Sequence, residues 1–235
     1  IQCLMKTFIL IPCYNEEKYI EKVIDNIIKF AQFDKEIVVI DDGSTDKTNE
    51  ILNDLKKQDK IQKLLVHSQN QGKGASIRNG LQHVNEGLII IQDADFEYSP
   101  KDYNKLINPI INLDADVVYG SRFLGSNEAN RVLYFSHRIA NTLLTFFSNL
   151  LTNINLTDME TGFKAFTHES VKDIILKENR FGFEPEITAK LAKKKLRIYD
   201  VGVSYKGRTY DEGKKIKLKD AFRAIYCIAK YNLLN

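Results

Sequence analysis

Leu88-Ile89-Ile90-Ile91-Gln92-Asp93-Ala94-Asp95-Phe96-Glu97-Tyr98-Ser99-Pro100 is the stretch from which the fold of this chain can be read. An apolar run opened by Gly87 predicts a buried strand. It ends in two acids one residue apart, with a third two positions on. Side chains alternate along a strand, so Asp93 and Asp95 are expected to point the same way. Carboxylates gathered at a strand end repel one another unless a cation lies between them. Hard oxygen donors suit Mg2+ or Mn2+, which bridge a few carboxylates to phosphates. Asp93, Asp95 and Glu97 are therefore the candidate metal ligands. The competing reading is a solvated acidic turn before a helix, capped by Ser99 with Pro100 at its first position.

Outward from this stretch the pattern repeats. Phe8 to Pro12, Glu36 to Ile40, Ile61 to His67 and Asp116 to Tyr119 read as further strands. Helices follow the first four strands, the fifth runs into Gly120-Ser121-Arg122-Phe123, and the first helix shows Ile20, Val23, Ile24, Ile27 and Ile28 on one face. Strand and helix in alternation predict an α/β fold with a doubly wound, mostly parallel sheet. In such sheets a ligand lies outside the carboxyl ends of the strands. Each of these strands ends in a polar or glycine-rich turn, which brings Glu16, Asp41, Asp42, Lys73, Asp93, Asp95 and Arg122 to one rim. Exposure alone makes such turns polar, but it does not explain why carboxylates follow directly from the apolar runs. Gly72-Lys73-Gly74-Ala75 is not a P-loop, and no Gly-x-Gly-x-x-Gly follows the first strand. The Gly-Lys-Gly turn can still offer N–H groups to an anion at a helix start.

Composition fits a soluble globular chain of 235 residues, with 43% hydrophobic and 28% charged residues. A net charge of +3 gives no argument for nucleic acid. Cys3, Cys13 and Cys227 show no paired spacing, so reduced thiols and a cytoplasmic location are expected. No apolar stretch approaches the ~18 residues of a spanning helix, so membrane contact of this chain is expected to be peripheral, on the cytosolic face.

The second half is less regular. Val132, Phe135, Ile139, Leu143, Phe146, Phe147 and Leu150 form an apolar helical face, belonging either to a core helix or to an acceptor groove. Thr157 to Lys164 is a polar loop leading to a short apolar segment. Gly182-Phe183-Glu184-Pro185-Glu186 opens a helix whose acids suit its dipole. Arg197 to Val203 reads as a strand. Lys206 to Lys215 is a basic, glycine-punctuated loop that can close over an anionic substrate or remain a basic surface. Leu218, Phe222, Ile225 and Ala229 line a final amphipathic helix, which either docks on the domain or lies in a membrane interface.

The set IPCYNEE, DDGSTDKT, NQGKGASIRNG, QDADFEYSP, GSRF, DMETGFKAF, GFEPEI and GRTYDEGKKI resembles glycosyltransferase family 2. Within it the chain is most similar to the dolichyl- and polyprenyl-phosphate mannose and glucose synthases. The resemblance implies a single GT-A domain over residues 1–235, with a nucleotide-sugar half at about 6–122 and an acceptor half at about 123–235. It implies a nucleoside-diphosphate sugar donor (GDP- or UDP-hexose), a divalent cation, Mg2+ or Mn2+, and inversion at the anomeric carbon. Carried over, Pro12, Tyr14 and Glu16 line the nucleotide pocket, and Asp41 and Asp42 hold base and ribose with Lys73 nearby. Asp93 and Asp95 match the DxD pair, with Glu97 where many members have Gln. Arg122, Arg208 and Lys214 match basic positions for the donor and acceptor phosphates, joined by Arg131 or Arg138. A polyprenyl phosphate acceptor is itself an anionic nucleophile. A hydroxyl acceptor would need a base, for which Asp158 or Glu160 is the candidate. The chain has no Trp and hence no QxxRW motif of processive polysaccharide synthases. A sugar nucleotidyltransferase would want a Gly- and Arg-containing loop where IPCYNEE stands. An inactive nucleotide-sugar-binding subunit is the remaining alternative, against which Asp93, Asp95, Arg122 and Arg208 argue.

Overall fold

The computed structural model describes residues 5–125, 131–132, 134–209 and 218–234. In chain order these form β1 (Thr7–Cys13), α1 (Ile20–Phe30), β2 (Lys35–Asp41), α2 (Thr48–Lys57), β3 (Lys63–Val66), α3 (Lys73–Leu81) and β4 (Leu88–Ile91). A short 3-10 turn then leads into α4 (Tyr103–Asn112), β5 (Val117–Ser121), α5 (Phe135–Thr152), β6 (Lys164–Thr167), α6 (His168–Val171), α7 (Phe183–Lys193), β7 (Ile198–Gly202) and α8 (Leu218–Leu233).

The strands make one seven-stranded sheet in the order β3-β2-β1-β4-β6-β5-β7. Pairing is parallel except at β6, which runs antiparallel to both β4 and β5. The chain winds outward from β1 to β3, then returns to place β4 on the other side of β1. The crevice where strand order reverses thus opens between the ends of β1 and β4, which is where such sheets bind ligands.

Alternation along the strands builds two cores. Ile9, Ile11, Val39, Leu88 and Ile90 pack under α1, α2 and α4 through Ile24, Leu52 and Leu106. Phe8, Leu10, Val38, Ile40, Ile89 and Ile91 pack on the other face with Ile77 of α3 and Phe183, Ile187 and Leu191 of α7. Both faces are covered, which is why the strands read as continuous apolar runs.

Three segments left open by the sequence are resolved. The apolar segment after Thr157 to Gly162 is strand β6, inserted antiparallel between β4 and β5. The apolar face assigned to α5 is not a core face: Phe135, Ile139, Leu143, Phe146, Phe147 and Leu150 are exposed, and Leu144, Thr145 and Ser148 are buried. In α8, Phe222 and Ile225 likewise face outward, while Ala224, Cys227, Ile228 and Tyr231 pack inward. Periodicity finds the apolar stripe of a helix but not the medium it meets. Among the described residues no helix is long and apolar enough to cross a membrane.

Gly87 sets the start of β4. Its φ is +77°, and a Cβ there would lie 2.1 Å from the Lys6 carbonyl oxygen. That same oxygen accepts the Leu88 N–H at 2.9 Å. Gly87→Ala combines left-handed strain with a backbone clash and is expected to destabilise the fold by about 2 kcal/mol or more. Urea denaturation checks this, with a lower midpoint at an unchanged slope.

Candidate active site

Strand β4 stops at Ile91, so Asp93 and Asp95 are placed by a turn and not by strand alternation. Gln92, fully buried, anchors that turn: Tyr103 donates to its Oε1 at 3.0 Å, and its Nε2 donates to the Asp93 carbonyl. Phe96 takes a left-handed φ of 64°, reversing the chain. The Glu97 N–H then donates back to Asp95 Oδ1 at 3.2 Å. The turn achieves the convergence that the strand would have given.

Arg208 lies among the acids. Its Nη2 donates to Asp95 Oδ2 at 3.0 Å, and Nη1 donates to Glu16 Oε2 at 3.2 Å. Glu97 positions the segment carrying it. Glu97 accepts from the Arg208 backbone N–H at 2.7 Å and from Tyr205 Oη at 2.6 Å. Lys206 N–H donates to the Glu97 carbonyl at 2.9 Å. Burial, with Glu97 and Asp93 close by, pushes the Asp95 carboxyl up to about 8, against the pull of Arg208. Glu97, expected as a third metal ligand, has both oxygens engaged within this strap. Lys214, expected beside Arg208, lies outside the described residues.

A second cation serves Asp93. Lys73, at the start of α3, lies 2.9 Å from Asp93 Oδ1 and 3.1 Å from Glu184 Oε1 of α7. Burial opposes its charge, but the two carboxylates outweigh that and hold its pKa above the ordinary lysine value. Glu184 is therefore more than a dipole complement, and sequence offered no sign of its pairing with Lys73 across 111 positions (184 minus 73). Gly162 closes the site from below: a Cβ there would lie 2.0 Å from Asp93 Oδ2. Tyr98 Oη ties the same turn down, accepting the Gly162 N–H at 3.1 Å.

The Lys73 turn is also held from outside. A Cβ on Gly72 would lie 2.3 Å from the Asn179 carbonyl, and one on Gly74 2.3 Å from that of Glu178. Glu178 is itself gripped by α8, accepting from Arg223 Nη2 at 2.7 Å and Tyr231 Oη at 2.9 Å.

The residues expected to line a nucleotide pocket stand at the same crevice. Pro12 and Tyr14 are half-buried at the end of β1. Glu16 is buried, with its N–H donating to Thr48 Oγ1 at 2.8 Å. Asp41 and Asp42 shape loops: Asp41 accepts from Ser44 N–H and Asn49 Nδ2. Asp42 accepts from the Gln71 and Gly72 N–H groups and pairs with His67 at 2.7 Å.

At the end of β5, Arg122 makes a two-pronged pair with fully buried Asp158, Nε to Oδ2 and Nη2 to Oδ1 at 2.7 Å each. With both oxygens so engaged, Asp158 is not available as a base. Glu160 differs: its Oε1 is shielded from solvent and has no hydrogen-bond partner. Burial and the nearby Glu184 push its carboxyl up to about 8. Buried Lys164, which sequence reading passed over, donates to the Met159 and Thr161 carbonyls. Burial lowers its pKa to about 8. Arg131 Nη1 donates to the Gly207 carbonyl at 3.0 Å, and Arg138 lies 4.0 Å over the Phe123 ring.

Among the described residues no three acidic, His or Cys side chains converge into a self-contained metal cage. A Mg2+-like ion needs only one or two carboxylates when substrate phosphates and water complete its shell. Asp93 and Asp95 fit that requirement, since both carry hard oxygens in a crowded acidic crevice that already draws in two basic side chains.

Comparison with known proteins agrees with this geometry. The model of glycosyl transferase family 2 matches residues 8–175. An uncharacterized protein of Methanocaldococcus jannaschii is 31% identical over 93% of this chain and 89% of its own length. A UDP-N-acetylglucosamine–dolichyl-phosphate N-acetylglucosaminyltransferase of Methanococcus voltae is 28% identical over 93% of each chain. A dolichyl-phosphate beta-glucosyltransferase of Trichomonas vaginalis is 30% identical over 89% of this chain and 68% of its own. Among solved structures, glucosyl-3-phosphoglycerate synthase of Mycobacterium tuberculosis, in complex with Mn2+, UDP and phosphoglyceric acid, superposes with a TM-score of 0.73. It covers 98% of this chain and 80% of its own, at 19% identity.

The two acids before Gly162 should respond oppositely to substitution. Asp158→Ala strands the Arg122 guanidinium in a buried site and is expected to destabilise the fold by roughly 3–5 kcal/mol. Glu160→Gln replaces a buried carboxyl that has an unpartnered oxygen and is expected to leave the urea midpoint unchanged or raised.

Proposed function

The chain belongs to glycosyl transferase family 2, and from that premise we propose that it moves a hexose from a UDP- or GDP-linked donor to a polyprenyl phosphate, inverting the anomeric carbon, with Mg2+ or Mn2+ held by Asp93 and Asp95. It is a glycosyltransferase of the GT-A fold. The observation that carries the finer reading is the gathering of Glu16, Asp95 and Glu97 around Arg208, beside Lys73 and Asp93, at the ends of β1 and β4. Relatives whose names specify dolichyl phosphate support the lipid acceptor.

In this reading Pro12, Tyr14 and Glu16 border the nucleoside, while Asp41 and Asp42 fix the loops around it. When bound, a divalent cation neutralises charge that develops on the leaving diphosphate. Lys73 keeps Asp93 aimed at that point. Arg208, released from Asp95, turns its guanidinium to the diphosphate, and Lys214 joins it. Arg122, aligned by Asp158, faces the acceptor phosphate. An oxygen of that phosphate attacks the anomeric carbon as its bond to the diphosphate breaks, so the nucleoside diphosphate leaves with the electron pair. No proton has to be removed from the acceptor. Charge-assisted hydrogen bonds from preset cations supply the main stabilisation.

A second reading has one observation in its favour: Glu160, buried beside this site with an unpartnered oxygen, could take a proton from a hydroxyl acceptor. The test incubates enzyme, Mn2+ and labelled UDP- or GDP-hexoses with polyprenyl phosphate and follows label into the organic phase. Asp95→Ala is expected to slow transfer ~100-fold or more. Glu160→Gln is expected to change it by less than about threefold, whereas loss of a working base removes 10²–10⁴-fold. Absence of lipid-bound label, together with a steep loss in Glu160→Gln toward a sugar hydroxyl, supports the second reading instead.

The acid cluster also fixes a pH dependence. The folded-state pKa of Asp95 is raised, so its proton stabilises the ligand-free fold fully below pH ~4, and that contribution is lost as pH rises toward about 8. Cation binding must displace this proton and runs the other way. The thermal shift given by Mn2+ is expected to grow between pH 6 and pH 8.5, by up to about tenfold in affinity per unit below 8. A flat or falling profile contradicts the assignment.

A further inference from the structure

Helix α5 is built inside out. Its small and polar side chains face the protein, with Thr145 4% and Ser148 1% exposed. These inward groups are used: Thr145 Oγ1 accepts the Met159 N–H at 3.1 Å, and Asn149 brackets Leu156 through both backbone groups. Its large side chains face outward, with Phe135 78%, Leu143 51%, Phe146 57% and Leu150 66% exposed. Helix α8, which packs beside it, repeats the arrangement with Phe222 67%, Ile225 49% and Tyr226 51% exposed. Soluble proteins seldom leave so many large apolar side chains contiguous and bare.

Charge decides what covers this face. From Arg131 to Thr152 the sequence contains no Asp or Glu. In α8 the only acid is Asp220, which is buried. Arg138 and Lys219 are exposed, and Arg223 is half-exposed. The face is thus apolar at its centre and cationic at its borders, with no exposed carboxylate on either helix. A surface of that kind matches acyl chains at the centre and anionic headgroups at the edge. Its position adds to the match. The chain entering α5 is tied to the site through Arg131, whose N–H and Nη1 donate to the Tyr205 and Gly207 carbonyls. Helix α5, 18 residues long, would span about 27 Å in the plane of such a surface.

We propose that the outward faces of α5 and α8 form one continuous surface by which this protein docks on an anionic lipid bilayer, lying on it without crossing it. Docking needs neither donor nor acceptor, so it stands or falls apart from the transfer reaction. Phe135, Phe146 and Leu150 of α5 and Phe222 and Ile225 of α8 enter the headgroup–acyl boundary. Arg138 and Lys219 stay at the level of the lipid phosphates.

The test is co-sedimentation of the full chain with vesicles of phosphatidylcholine alone or mixed with phosphatidylglycerol, at low and high salt, containing no polyprenyl phosphate. Binding is expected to be at least about tenfold tighter with the anionic lipid and to weaken with salt. Phe146→Ser with Phe222→Ser is expected to weaken binding by more than about tenfold. Arg138→Gln with Lys219→Gln is expected to remove the preference for anionic lipid. Unchanged far-ultraviolet circular dichroism and an unchanged urea midpoint establish that each variant is folded. No partition into either vesicle overturns the proposal. So does sedimentation velocity showing a dimer that Phe146→Ser dissolves, since a second copy would then own the face. Vesicle binding without sugar transfer leaves the docking surface intact and removes only the lipid-acceptor reading.

Discussion

The interaction on which the rest of the structure depends is the repulsion among carboxylates at the ends of β1 and β4. Glu16, Asp93, Asp95 and Glu97 are drawn together by the backbone, and burial with the neighbouring carboxylates raises the proton affinity of Asp95. Two basic groups make the gathering tolerable. Arg208 bridges Asp95 and Glu16, and Lys73 bridges Asp93 and Glu184. Arg208 comes from far along the chain, as does the Glu184 that Lys73 joins to Asp93, so these pairs also close the fold around the crevice. On the proposed function, a site balanced in this way would hold a divalent cation at Asp93 and Asp95 and a diphosphate beside it with little change in net charge, Arg208 leaving the carboxylates to meet the anion.

The other parts of the site can be followed outward from that balance. Lys73 holds its position because residues 178–180 press against Gly72 and Gly74, and those residues are fixed to α8 by Glu178. On the opposite wall, Arg122 is held by Asp158, and Arg131 meets the segment that carries Arg208. Helices α5 and α8 therefore support the two walls of the crevice with their inward faces while turning their apolar faces out.

Much of this was legible from residues alone. Strands β1 to β5 announced themselves as apolar runs ending in polar turns, because both faces of the sheet are covered. The rim residues Glu16, Asp41, Asp42, Lys73, Asp93, Asp95 and Arg122 followed from strand ends and fold rules. What stayed hidden has a common cause. The pairs Lys73–Glu184, Arg122–Asp158 and Arg223–Glu178 join segments distant in sequence, and no local pattern specifies them. Strand alternation was the wrong reason for placing Asp93 and Asp95 together, since β4 ends at Ile91 and the turn anchored by Gln92 carries both acids. In α5, period alone could not tell an inward stripe from an outward one, since Thr145 and Ser148 occupy the side normally held by leucines.

The central claim is that the acid cluster is the seat of a cation bound jointly with the donor diphosphate. Calorimetric titration of Mn2+ into the protein, with and without nucleoside diphosphate, tests it most directly. The account predicts a single ion that binds at least about tenfold more tightly when the diphosphate is present, with the same coupling seen reciprocally for the nucleotide. It also predicts that Arg208→Ala tightens Mn2+ binding in the absence of nucleotide, because the competing guanidinium is gone. Equal affinity with and without nucleotide, or binding undiminished in Asp95→Asn, would contradict it.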